Sequence, residues 1–144
     1  MIAKIAFYIL NNDSSLKGRA LYTCRIIEKA YFNNHKIYIH TSNQEEAQNF
    51  DLQLWTFSDI SFIPHEIYSL NSNLDVPITI GYGEEITPEQ KDILVNLTSE
   101  VVHSYQHFNH LIEVIPNDDQ LKTLARQRFQ IYQKAGCPIE VFKV

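Results

Sequence analysis

The sequence predicts a layered α/β domain spanning residues 1–144, in which helices flank a mixed, mostly parallel sheet. Short apolar runs rich in Ile, Phe and Tyr alternate with amphipathic segments of helical period, which is typical of βαβ units. The length of 144 residues is ordinary for one domain, and 44% hydrophobic with 20% charged residues is typical of globular proteins. We therefore expect one domain with no internal linker.

Hydrophobic periodicity assigns the individual elements. The segment 57–65 is apolar, but Pro64 argues against a central strand there. Strands are predicted at 3–10, 36–41, 76–81, 92–98, 111–115 and 139–144, and helices over about 15–34, from Ser42 to Trp55, over 99–110, and from Asn117 or Asp118 to Ala135.

Capping residues set the helix boundaries. Ser14 or Ser15 follows the first strand, and either side chain can accept a hydrogen bond from a first-turn N–H. Ser42, with Glu45 three residues later, predicts a capping box at the start of the second helix. Gly136 is placed to end the last helix, where a left-handed backbone suits glycine.

The distribution of charge bears on the possible partners. The net charge is −5; residues 1–110 carry 7 basic and 13 acidic side chains, whereas residues 111–144 carry 5 basic and 4 acidic ones. An acidic total argues against strong direct binding to DNA, which requires cations that neutralise phosphates. The sequence has no run of about 18 apolar residues and no signal-peptide pattern at its N-terminus. We therefore expect a cytoplasmic protein with no membrane partner.

Motifs for cofactor chemistry are absent from the sequence. No P-loop occurs, and the turn after Leu10 lacks the glycines of a dinucleotide-binding strand–helix turn. The G-x-G at 81–83 is followed by two glutamates, which would repel phosphate. Cys24 and Cys137 form no C-x-x-C pair and are predicted to be reduced, structural thiols. No cofactor is predicted.

Three histidines offer a metal-binding alternative. His103, His107 and His110 recur at i, i+4 and i+7, so a helix would place them on one face with spacing suited to zinc. No Glu lies between them to act as a base, unlike in H-E-x-x-H. The simpler interpretation is a row of exposed polar side chains. A metal-assisted enzyme stays an alternative, but we predict no metal site and no catalytic residue.

A basic stripe marks the last predicted helix. Lys122, Arg126 and Phe129 recur at i, i+4 and i+7, apart from the helix face that would pack on the core. Two cations beside an exposed ring suit an acidic peptide that ends in an apolar residue. The alternative is a solvated basic face with a peripheral ring. Arg128 lies on the core face, so we expect it to pair with a carboxylate or to cap carbonyls.

The only tryptophan provides a second candidate site. Trp55 lies at a predicted helix end, and Phe62 follows in a loop-rich segment. Packing in the core is one interpretation. The other is a protein-binding patch, because Trp is enriched among interface hot spots.

Several motifs, taken together and in order, carry a family resemblance. The chain resembles the chi subunit of bacterial DNA polymerase III from residue 3 to residue 144. The motifs that carry the resemblance are AFYIL at 6–10, FIPH at 62–65, and the proline–acidic cap, A-R-x-R-aromatic core and A-G end at 115–136.

The resemblance implies a Rossmann-like fold without a nucleotide site and a non-catalytic accessory role at the clamp loader. It also implies two partners: the acidic, phenylalanine-ended C-terminal tail of single-stranded DNA-binding protein, and the psi subunit. Phe129 stands where the family often has a Tyr, which removes one possible hydroxyl contact. The resemblance assigns tail binding to Lys122 and Arg126 with Ile115 and Phe129 as apolar walls, and psi binding to Trp55 and Phe62.

Overall fold

The computed structural model describes residues 3–58, 62–68, 76–83 and 92–144. Within these residues, seven strands form a single sheet, three α-helices flank it, and a 3-10 helix spans His103–His107. The strands are β1 (Lys4–Ile9), β2 (Ile37–Thr41), β3 (His65–Ile67), β4 (Ile78–Tyr82), β5 (Ile93–Asn96), β6 (His110–Ile115) and β7 (Ile139–Lys143), and the helices are α1 (Leu16–Phe32), α2 (Gln44–Thr56) and α3 (Asp119–Lys134).

The strands lie in the order β3-β4-β2-β5-β6-β1-β7. All six strand pairings are parallel, so the sheet is parallel among the described strands rather than mixed. Every residue of β2 and β5 is buried, which explains their near-continuous apolar sequences. The short strand β3 lies at one edge of the sheet, in agreement with the expectation that no central strand occurs near Pro64. The α/β class is confirmed.

Helices cover both faces of the sheet and create two cores. On one face, Cys24 and Ile27 of α1 and Leu54 of α2 pack with sheet residues. On the other face, Tyr132 of α3 and Phe108 after the 3-10 helix pack with the opposite side chains of the strands. A layered sheet of this kind is Rossmann-like. No helix in the described part of the chain is long and apolar enough to cross a membrane.

The start of α2 differs from the prediction by one residue. Asn43, not Ser42, caps the helix, and its side chain accepts a hydrogen bond from the N–H of Glu46 at 2.9 Å. The Glu46 carboxylate in turn accepts from the N–H of Ser42 at 3.1 Å. Asn43 is therefore the cap, because Asn is as good a cap as Ser, and Glu46 reaches back to the residue before the cap rather than to the N–H of the cap itself.

The predicted caps of α1 and α3 and the glycine after α3 are confirmed. Ser15 caps α1, and its hydroxyl accepts from the N–H of Gly18. Asp118 caps α3, with its carboxylate accepting from the N–H of Leu121. Gly136 follows the helix with a φ of 82°, the left-handed conformation that glycine permits.

Two features of the sequence that could suggest chemistry have structural explanations. Gly81 lies in β4, and a Cβ at this position would fall 2.3 Å from the hydroxyl of Tyr38, so packing requires the glycine. The two glutamates after residue 83 lie outside the described residues. Cys24 and Cys137 are buried and unpaired, as predicted, and burial raises the pKa of the Cys24 thiol to about 12.

Candidate functional site

The helix α3 packs across β1 through aromatic side chains. The ring of Phe7 lies 5.8 Å from that of Phe129 and 6.0 Å from that of Tyr132, measured between centroids. Tyr132 is fully buried, whereas Phe129 is only half-buried. Phe129 therefore stands at the border between the core and the surface.

A buried polar network fixes the inner side of α3. Arg128 Nε donates to Oε1 of Glu113 at 2.7 Å, and Tyr132 Oη donates to Oε2 of the same carboxylate at 2.5 Å. Arg128 Nη1 also bonds the carbonyl oxygen of Ser99 at 2.9 Å. The prediction that Arg128 pairs with a carboxylate or caps carbonyls is confirmed.

The electrostatics of this network follow from its burial. Glu113 is 0% exposed, and burial raises its pKa, while the charge of Arg128 and the hydrogen bonds from Tyr132 and Arg128 oppose that rise. Burial, and then the charge of Glu113, raise the pKa of Tyr132. With Arg128 held inward, Arg126 lies about 200° around the helix from it and faces outward.

A cleft of about 260 Å³ opens between the outer side of α3 and the carboxyl ends of β1, β6 and β7. All four residues that the sequence assigns to tail binding line it, although they come from β6 and α3. The cleft is lined by Phe7, Ile9, Asn11, Ile115, Lys122, Ala125, Arg126, Phe129, Val141 and Lys143.

Three cations surround the cleft, and they are held differently. Lys122 is half-buried, and its Nζ donates to the side-chain oxygen of Asn117. Arg126 is exposed, and no hydrogen bond or ion pair involves its guanidinium among the described residues. Lys143 comes from β7, where it lies beside Ile9 in the sheet register. The Arg126 donors are thus free to bind an anion.

The sequence prediction missed the contribution of the sheet to this cleft. Val141 and Lys143 line it because β7 pairs with β1 in a register that sets Val141 beside Phe7. The alternation of β7 places both side chains on one face, and that much can be inferred from the sequence. The pairing of β7 with β1 cannot be inferred from it, because about 130 residues separate the two strands.

The second candidate surface lies at the opposite edge of the sheet. Trp55 at the end of α2 is 46% exposed, and its ring packs against that of His65 of β3, with 4.1 Å between centroids and the planes tilted by 39°. Phe62 is 79% exposed, and Leu52 of α2 is 61% exposed. Trp55 is therefore only partly packed, and the alternative interpretation, that it packs in the core, is wrong. We call Leu52, Trp55 and Phe62 the α2 surface.

The predicted histidine row is wrong. The helix expected over 99–110 is a 3-10 helix of five residues that ends at His107, so His103 and His107 do not share an α-helical face with a third histidine. His110 belongs to β6, where its ring lies 6.2 Å from that of His35. In the segments 3–58, 62–68, 76–83 and 92–144, no group of three His, Cys, Asp or Glu side chains is placed to hold a metal.

Sequence comparison identifies relatives over most of the chain. The family described as DNA polymerase III chi subunit, HolC, matches residues 2–140. The DNA polymerase III subunit chi of Pseudomonas aeruginosa is 26% identical over 139 residues, covering 96% of this chain and 95% of that protein. The subunit of the same name from Escherichia coli is 26% identical and covers 90% of each chain. That from Haemophilus influenzae is 28% identical and covers 94% of each.

Comparison with solved structures supports the fold. The crystal structure of T4 UvsW superposes with a TM-score of 0.69 over 99% of this chain, at 9% sequence identity. The chain spans 41% of that protein's length, so this likeness concerns the fold alone. Fold and cleft together define an α/β protein whose distinctive site is a cationic cleft with apolar walls. The family match is decisive: the chain belongs to the DNA polymerase III chi subunit family.

Proposed function

We propose that this protein is a non-catalytic accessory subunit of the DNA polymerase III clamp loader with two separate binding surfaces. The cleft at α3 binds the acidic C-terminal tail of single-stranded DNA-binding protein, and the α2 surface binds the psi subunit. The protein thereby links the polymerase complex to coated single-stranded DNA in the cytoplasm. Membership of the chi family supports the accessory role.

One observation carries the tail-binding proposal: a single cleft combines three cations with aromatic and aliphatic walls. Lys122, Arg126 and Lys143 surround apolar side chains that include Ile115 and Phe129. An anion alone needs no such wall, and an apolar ligand alone needs no such cations. The combination matches a peptide with several carboxylates and a terminal aromatic residue.

The chemistry assigns each cleft residue a part. The guanidinium of Arg126 can hold the terminal carboxylate through two parallel hydrogen bonds, a geometry that an ammonium group does not offer. Lys122 and Lys143 attract the acidic side chains as point charges. The terminal aromatic ring of the tail packs against Phe129 and Ile115, where it loses contact with water.

The proposal for psi binding rests on the solvent exposure of three large apolar side chains. Large apolar side chains at Leu52, Trp55 and Phe62 lie in contact with water at 46–79% of their surface. The helix α2 carries no Lys or Arg, so this surface does not select an acidic tail. Aromatic residues in such a position are typical of interface hot spots, and the psi subunit is the partner that the family resemblance implies.

A fluorescence anisotropy titration tests the tail interaction. A labelled acidic peptide ending in Phe is titrated with the protein, beside a peptide that lacks the final Phe and one whose Asp residues are replaced by Asn. We expect saturable binding of the first peptide and severe loss with either altered peptide. Equal affinity for all three peptides would contradict the proposal.

The chain offers a matched control for the cleft. Lys134 is an exposed cation of α3 that does not line the cleft, so Lys134→Ala removes one charge at a distance from the proposed ligand. Lys134→Ala should bind the peptide as the unaltered protein does, whereas Arg126→Ala should not. Binding to DNA that does not depend on the tail would instead favour the nucleic-acid-binding alternative.

A further inference from the structure

The strand β7 forms one edge of the sheet and pairs with β1 on one side only, among the described residues. The N–H of Val144 donates to Ile9, and the carbonyl of Val144 accepts from Asn11. The carbonyl of Pro138 accepts from Ile5 in the same way. Even-numbered residues of this segment therefore direct their backbone groups toward β1.

The alternation of a strand turns the other backbone groups outward. The N–H and C=O groups of Ile139, Val141 and Lys143 point away from β1, outward from the edge of the sheet. No described residue pairs with these groups. A row of unpaired backbone donors and acceptors is a template on which another extended chain can pair.

The side chains of β7 make this edge attractive to an extended peptide. Val141 is 46% exposed on the α3 side, where it lines the cleft. Phe142 is 39% exposed on the other side, where it stacks on Tyr8 with 4.9 Å between ring centroids. An added strand would thus meet apolar surface on both faces of the sheet.

The sign of the charges changes along β7 in a way that suits an acidic ligand. Glu140, near the start of the strand, is exposed, and Lys143 lies at its end. Lys143 shares the cleft with Lys122 and Arg126. The carboxyl end of the β7 edge is therefore continuous with the three cations, while its other end carries an acid that would repel carboxylates.

We propose that the acidic, phenylalanine-ended peptide binds as an additional strand on the outer edge of β7. This inference rests on the proposed function of the cleft and adds the mode of binding. The peptide backbone pairs with the outward groups of Val141 and Lys143, and alternate side chains point over the two faces of the sheet. The peptide side chains on one face, including the terminal ring, enter the cleft beside Phe129. Those on the other face pass over Phe142.

A scan of N-methylated peptides tests the strand pairing. Synthetic tail peptides carrying one N-methyl group at successive residues remove one backbone donor at a time without changing a side chain. We expect affinity to fall at alternate positions, by at least about threefold at each, and to change little between them. An even response along the peptide would overturn strand pairing, while binding of the unmethylated peptide would leave the proposed function standing.

Amide hydrogen exchange measured by NMR tests the same pairing from the protein side. Saturating peptide should slow exchange at the amides of Ile139, Val141 and Lys143 by tenfold or more. The inward amides of Glu140 and Phe142, which already face β1, serve as internal controls and should change less. Unchanged outward amides in a peptide-saturated sample would overturn the inference. Slow exchange there without peptide, growing with protein concentration, would show a second copy on the edge and overturn it too.

Discussion

The cleft at α3 and the α2 surface lie at opposite edges of one sheet and differ in kind. Six strand-to-strand intervals separate the edges, which corresponds to about 29 Å at the usual strand spacing. The cleft is concave, and it combines cations with apolar walls. The α2 surface consists of exposed apolar side chains, two on a helix without basic residues and the third, Phe62, in the segment that precedes β3.

This difference determines how much each surface reveals about its ligand. Cations set beside a ring specify a ligand that carries both negative charge and an apolar group. Exposed apolar side chains specify only that a protein covers them. The tail-binding proposal therefore follows from residue chemistry as well as from the resemblance, whereas psi as the partner of the α2 surface follows from the resemblance alone.

Arg128→Ala should have the largest effect, because it damages the scaffold that both surfaces share. The change leaves the fully buried carboxylate of Glu113 without its cation. Breaking a buried ion pair in this way costs about 3–5 kcal/mol of unfolding free energy. We expect a large drop in the urea midpoint, while the protein that remains folded keeps most of its affinity for the tail.

The exposed control Lys134→Ala should shift the unfolding free energy by about 0.5 kcal/mol or less. If Arg128→Ala unfolds like the unaltered protein but loses tail binding, the binding site lies on the inner side of α3 and the comparison of the two surfaces fails.

The double change Trp55→Ala and Phe62→Ala should separate the two surfaces. Truncating an aromatic hot spot costs about 2 kcal/mol or more, so we expect association with psi to weaken at least a hundredfold, as measured by surface plasmon resonance. Tail-peptide affinity should stay the same, since the α2 surface is at the far edge of the sheet. Loss of both activities at an unchanged melting temperature would show one shared site.

Arg126→Ala should be the most damaging single change for tail binding. Hydrogen bonds to charged groups contribute roughly 1.5–3 kcal/mol each, so we expect affinity to fall about tenfold to a hundredfold in peptide titrations. Lys122→Ala should cost less, because its Nζ already bonds Asn117. Psi binding should not change in either variant, and a larger effect from Lys122 than from Arg126 would reverse the assignment of the terminal carboxylate.

Raising the salt concentration should have the smallest effect on binding, and it should distinguish the cleft from the α2 surface. Exposed charges are screened beyond about 8 Å at physiological ionic strength, and more strongly at twice that concentration. We expect tail affinity to fall several-fold when salt is doubled, and association through the α2 surface to change little. A flat response at the cleft would mean that its apolar walls alone provide the affinity.

The sequence predicts local structure better than it predicts contacts between segments that are far apart in the chain. The cap of α3 by Asp118 follows from its short acceptor side chain, and the inward position of Arg128 follows from helical periodicity; both act over a few residues. The cap at Asn43 was missed by one position because neighbouring Ser and Asn residues cap almost equally well. The prediction that three histidines share one helix face is wrong because the chain enters β6 at His110, a boundary that helical periodicity does not reveal.

The residues of the candidate cleft also divide into those that local sequence predicts and those that it does not. Lys122, Arg126 and Phe129 belong to one helix, so their alignment could be predicted from spacing. Val141 and Lys143 join them only through the pairing of β7 with β1, which is a property of the whole sheet.

The position of β1 also has a consequence for how the chain is made. Both neighbours of β1 in the sheet, β6 and β7, come from residues 110–115 and 139–143, so the ribosome releases β1 long before its partners exist. Contacts between such distant segments slow folding and leave apolar strands uncovered in the meantime. Phe7 and Ile9 of β1 can meet α3 and β7 only after residues 119–143 have been synthesised. Of the described elements, those that form the cleft are therefore completed last, and until then the apolar side chains of β1 stay uncovered and open to chaperones and proteases.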